Sequence, residues 1–87
     1  MAERVYPLTL ARSVLAARLE IATDAAALMQ RGALTDRQYD ILCRRTAGES
    51  HGTIGAALGL SRQRVAQIET RTLAIMNAEA EKGDDRS

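Results

Sequence analysis

Apolar residues recur three and four positions apart through most of the chain, and the rhythm stops at Gly32, Gly48 and Gly59. Those breaks divide it into four predicted helices. The first runs from Leu8 to about Gln30 with no interior Pro or Gly, and Pro7 sits in its first turn, where a missing N–H costs nothing. The second starts near Asp36: Thr35-Asp36-Arg37-Gln38 has the Ser/Thr-x-x-Glu/Gln form of a capping box, with Leu34 ahead of it as a staple. Ser50 caps the third, and the fourth runs from Arg62 to about Ala78. Met1 to Tyr6 shows no periodicity. Glu79 to Ser87 is charged and carries no large apolar residue, so residues 79–87 read as a disordered tail. The predicted fold class is all-α: a four-helix domain in which residues 34–78 hold a helix-turn-helix and residues 1–33 supply a long N-terminal helix for packing or dimerisation.

The densest signal lies in SHGTIGAALGLSRQRVAQIE, from Ser50 to Glu69. Ile54 and Leu58 share one face of the third helix, and small Gly55 lets the fourth cross closely over it. Gly59 takes a left-handed turn, after which Leu60 drops into the core. Ser61 reopens a helix, its hydroxyl accepting from a free N–H of the new first turn. At about 100° per residue, Val65, Ile68, Thr72 and Met76 point inward on the fourth helix, while Gln63, Ala66, Gln67 and Thr70 point outward. Arg62 and Arg64 flank its start. Leu73, Ile75 and Met76 are expected to pack against the first helix.

The first helix is more apolar than one neighbour requires. Its apolar arc spans about 200°, against roughly 100° for a helix docked on a single surface. The surplus predicts a second protein surface, most simply a symmetric copy of the chain, with Leu8, Val14, Leu15, Ile21 and Leu28 at the interface. Arg18 interrupts the arc and must reach outward or meet an acid on a partner. The alternative is a helix padded by Ala and buried within one domain.

Composition sharpens this picture without changing it. A chain of 87 residues has room for one domain and buries only about 60–65% of its unfolded surface, so association would help it. The apolar residues are almost all aliphatic, with no Phe or Trp and only one Pro, which favours helix. Net charge is only +1, but residues 34–77 carry six Arg against four acids. Bulk charge alone would not hold a polyanion; local placement must. One Cys excludes an internal disulfide, and no His/Cys/Asp spacing matches a metal site. No apolar run of about 18 residues and no signal-peptide pattern occur, so a cytoplasmic protein without membrane attachment is expected.

The candidate chemistry is recognition of double-stranded DNA. Arg pairs two-pronged with guanine and Gln with adenine, and both belong at the start of a helix that enters the major groove. Arg62, Gln63 and Gln67 are therefore the base-reading candidates. Ser61, Arg64 and Arg71 are placed near phosphates. His51 and Thr53 join them, because N–H groups at the start of the third helix attract phosphate. Catalytic residues and cofactors are not expected: Cys43 and His51 lie on different helices with no third member, and no phosphate-cradling Gly loop occurs.

The stretch LTDRQYDILCRRTAGESHGTIGAALGLSRQRVAQIETRTLAIM, from Leu34 to Met76, resembles region 4 of the sigma-70 family of bacterial RNA polymerase sigma factors. LTxRQxxIL, IGxxLGLS and SRxRVxQIExRxL carry the resemblance, which covers about half the chain. It implies a domain that binds the minus-35 promoter element through its second motif helix and docks on the flap of the polymerase β subunit. It also implies base-reading positions at Arg62, Gln63 and Gln67, with Arg64 and Arg71 near phosphates. Gln63 stands where an acid usually accepts from cytosine, and Ala66 where a basic residue is common, so the minus-35 consensus is not carried over. The length leaves no room for the region that reads the minus-10 element, and a free-standing domain of bacterial or phage origin is expected. A weaker similarity, in the LTxRQ opening and the four-helix plan, links the chain to LuxR-type output domains. Two functions follow: a dimeric DNA-binding transcription regulator, or an interaction module that holds RNA polymerase or another regulator with little direct DNA reading.

Overall fold

A computed structural model describes residues 15–84, with side chains described for 20–81. The order is α1 (Leu15–Gln30), α2 (Asp36–Thr46), α3 (His51–Leu58) and α4 (Arg62–Asp84), an all-α fold. The capping box forms as predicted: Gln38 N–H donates to Thr35 Oγ1 at 3.1 Å, and Thr35 N–H donates to Gln38 Oε1 at 2.9 Å. Ser50 caps α3 by accepting from Thr53 N–H at 3.1 Å. Such caps contribute about 1 kcal/mol each, because they satisfy donors the helix itself cannot.

α2 is the dividing wall of the core. Leu42 belongs to one cluster with Ile21, Ala25, Leu34, Leu73 and Met76, while its neighbour Ile41 belongs to another with Ile54 and Val65. Successive helical positions diverge by about 100°, so adjacent residues can serve opposite sides. The first cluster joins α1 to the far half of α4. The second lies inside the helix-turn-helix and is closed by the half-buried Leu58, Leu60 and Ile68. Thr72 is fully buried on α4, and its hydroxyl is satisfied locally by donating to Ile68 O at 2.7 Å.

Three predictions are modified. α4 does not stop near Ala78 but continues to Asp84, through residues assigned to a loose tail. Glu79 pairs with Arg31 at the end of α1, and Ala80 packs against the first cluster, so tertiary contacts extend a segment whose composition is merely polar. Gly55 admits a different close neighbour: a Cβ there would lie 2.4 Å from Leu60 O. The backbone of the turn, rather than the crossing helix, demands the glycine.

The third concerns α1. Among residues 20–30 the exposed positions are Glu20, Thr23, Ala27 and Gln30, which leaves little surplus apolar surface on this half. Ile21 is buried in the chain's own core and Leu28 packs against it, so intramolecular packing already uses both proposed interface residues. Leu8 and Val14, with Pro7 and the first six residues, lie outside the described residues, as do the side chains of Leu15 and Arg18. No helix among the described residues is long and apolar enough to cross a membrane.

Candidate nucleic-acid interface

The turn between α3 and α4 aims the start of α4. Gly59 adopts φ 73° and ψ 32°, and Leu60 N–H donates back to Gly55 O at 2.8 Å. This left-handed conformation disfavours any residue with a β-carbon. Ser61 then caps α4, its Oγ accepting from Arg64 N–H at 3.0 Å. The proposed phosphate-side residue Ser61 thus has a structural duty too.

Beyond the cap, α4 is two-faced. Val65, Glu69, Thr72, Leu73 and Met76 are buried, whereas Arg62, Gln63, Arg64, Gln67, Thr70 and Arg71 are exposed. All three base-reading candidates and both α4 arginines assigned to phosphates therefore stand clear of the protein body on one helix. Ser50, His51, Gly52, Arg62, Gln63 and Ala66 line a groove that joins the start of α3 to the start of α4. Ala66, Gln67, Thr70, Arg71 and Ala74 line a shallower depression farther along α4. The stem of Arg62 lies over Gly52: a Cβ on that glycine would be 3.2 Å from Arg62 Cδ.

The arginines divide by environment. Arg31 pairs with Glu79, Arg44 with Asp40 and Glu49, and Arg45 with Glu69. The hydrogen bond and then the charge of Asp40 push the Arg44 pKa above its ordinary value, so this cation is already neutralised by acids on and just beyond its own helix. Arg62, Arg64 and Arg71 make no ion pair among the described residues, nor does Arg37. Charge that a net +1 conceals is thus unneutralised on the outward face of α4.

The start of α3 differs from expectation. Thr53 N–H is consumed by the Ser50 cap, and Thr53 Oγ1 accepts from the Ser50 hydroxyl at 2.9 Å. Thr53 is exposed and can offer only its own hydroxyl proton to a phosphate. The His51 ring turns inward, with Nε2 2.6 Å from Glu69 Oε1. His51 and Gly52 remain the two residues whose N–H groups precede the first bonded positions of α3.

Glu69, Arg45 and His51 form a buried polar group that the sequence pattern did not single out. Glu69 is 1% exposed, and its Oε2 accepts from Arg45 Nε at 3.2 Å. A signal was present: Glu69 stands four residues after Val65 and three before Thr72, on the inward face, where an acid needs a partner. Among the described residues no group of three or more His, Cys, Asp or Glu could hold a metal ion.

Comparison with known proteins adds one match. A family model described as Sigma-70, region 4 matches residues 32–76, slightly more than half of the chain and the whole of the α2, α3 and turn region. No curated protein and no solved structure matches.

Proposed function

The chain belongs to the sigma-70 region 4 family, a family of DNA-binding helix-turn-helix domains, and we propose that it regulates transcription by reading a specific duplex sequence in the major groove. The observation that carries this reading is the outward face of α4, where Arg62, Gln63, Gln67 and Thr70 are exposed beside Arg64 and Arg71, which make no ion pair among the described residues. Gln63 and Gln67 suit adenine and Arg62 suits guanine. Arg64, Arg71, the Ser61 cap and the Ser50-to-Thr53 start of α3 suit the flanking phosphates, which fix register without carrying sequence information.

A dimer belongs to the same proposal. It rests on the apolar pattern of the N-terminal sequence, with Leu8, Val14 and Leu15 as the candidate contacts, since Ile21 and Leu28 already pack in the chain's own core. Two copies would read half-sites about 34–36 Å apart if both reading helices address one DNA face. Mass measurement in solution tests this separately, with Leu15→Asp expected to give monomer; a wild-type protein that stays monomeric at tens of micromolar refutes the dimer.

Selection of bound duplexes from a random pool at low ionic strength, followed by footprinting, tests the DNA reading. An enriched motif is expected. If the purified protein retains no duplex, the interaction-module reading replaces this one, and capture of RNA polymerase becomes the experiment to perform.

A further inference from the structure

Glu69 gathers the segment that leads into α3 from two sides. Its Oε1 meets His51 Nε2 at 2.6 Å, while its Oε2 accepts from Arg45 Nε at 3.2 Å. Arg45 in turn donates through Nη1 to Glu49 O at 2.7 Å. One carboxylate on α4 therefore brackets Glu49, Ser50 and His51, directly through the ring and indirectly through the guanidinium. The other ties of this segment are local and polar, from Glu49 to Arg44 and from Ser50 to Thr53; the apolar anchors of α3, Ile54 and Leu58, lie farther along, and none of Ser50, His51, Gly52 and Thr53 is buried. The same segment forms one wall of the groove whose other wall is Arg62, Gln63 and Ala66.

We propose that Glu69 is a positioning residue for DNA binding, which acts through His51 to hold the start of α3 at the distance from α4 where both helix starts engage one duplex. The inference rests on the DNA reading above. A buried carboxylate is tolerated only when paired and hydrogen-bonded, so the bracket has one low-energy geometry and the groove inherits it. Apolar packing between α3 and α4 begins at the buried Ile54, so it fixes their crossing but does not itself hold Ser50, His51 and Gly52, none of which is buried. The contacts at stake are those to phosphate, so the effect of losing the bracket is independent of base sequence.

His51→Ala tests this, because the ring is 28% exposed and its removal leaves both apolar clusters intact. Binding is measured well below the melting temperature, with circular dichroism confirming the folded state, on a selected duplex and on a scrambled one. Expected is a loss of about tenfold on both duplexes, with the salt slope reduced by about 1 and the ratio between them preserved. His51→Gln, whose amide can donate to Glu69 from a similar position, is expected to restore affinity and salt slope. Folded His51→Ala protein that binds as tightly as wild type overturns the proposal. So does His51→Gln protein as weak as His51→Ala, since the ring itself would then be the phosphate contact. Wild-type protein that binds no duplex overturns the DNA reading as well, which separates the two failures.

Discussion

Arg45 at the end of α2 and Glu69 in α4, 24 residues apart, form an ion pair with side chains only 10% and 1% exposed. Their attraction is largely offset by the cost of removing both charges from water, so the pair contributes less to net stability than its burial implies. Breaking it is another matter. Glu69→Leu leaves the Arg45 guanidinium buried without its counter-charge, a loss of about 3–5 kcal/mol. In a domain this small that lowers Tm by about 10 °C or more. Arg45→Met added to Glu69→Leu is expected to recover part of the loss, and thermal unfolding of the three variants checks it. Strictly additive losses would show that the two side chains are not coupled.

The turn offers a contrast between two glycines. At Gly55 a methyl group would lie 2.4 Å from Leu60 O, which is backbone and cannot swing away. At Gly59 nothing lies within 4 Å, and the obstacle is φ 73° alone. Gly59→Ala should therefore cost about 1 kcal/mol, and Gly55→Ala more, in the range of about 1–3 kcal/mol or above for an overpacked site. Urea unfolding measures both. A Gly55→Ala protein as stable as wild type would contradict the close approach.

On DNA, the exposed α4 residues should separate by role. Arg64→Ala and Arg71→Ala are each expected to weaken all duplexes alike and to reduce the salt slope by about 1. Gln67→Ala and Arg62→Ala should cost about 1–3 kcal/mol on the selected sequence and relax the choice of one base pair each. Competition binding against single-position variants of the selected duplex distinguishes the two patterns.

Cys43 and Tyr39 form a side-chain pair one turn apart on α2. Donation of the Tyr39 hydroxyl to the Cys43 sulfur, which favours the neutral phenol, and then the negative charge of the Cys43 thiolate raise the Tyr39 pKa above its ordinary 10.0. A phenol raised in the folded state contributes stability that is complete below its unfolded value and is lost as pH rises through its folded value, so the effect belongs to strongly alkaline pH. In a Tyr6→Phe background, ultraviolet titration should place Tyr39 ionisation above about 10, and Cys43→Ala should bring it back down. An unchanged midpoint would remove the pair.

Most of the fold was legible because its signals are local. A Thr or Ser hydroxyl reaches only the N–H groups two and three residues on, so the starts of α2, α3 and α4 follow from Thr35, Ser50 and Ser61. A 3.6-residue repeat likewise places Val65, Thr72 and Met76 inside and Gln63 and Gln67 outside whatever the rest of the chain does. Gly59 announces its left-handed turn for the same reason. Long-range pairing obeys no such rule. Which arginines remain unneutralised depends on which helices meet: Arg31 finds Glu79 across 48 residues and Arg45 finds Glu69 across 24, while Arg62, Arg64 and Arg71 meet no acid among the described residues. His51 reads as an exposed ring at a helix start until packing of α3 against α4 sets Glu69 beside it. The length of α4 was hidden as well, since a polar segment stays helical here through contacts that exist only after α1 has docked. Short-range stereochemistry thus wrote the helices and their faces into the residue order, and the assembly of those helices chose the partners of every buried charge.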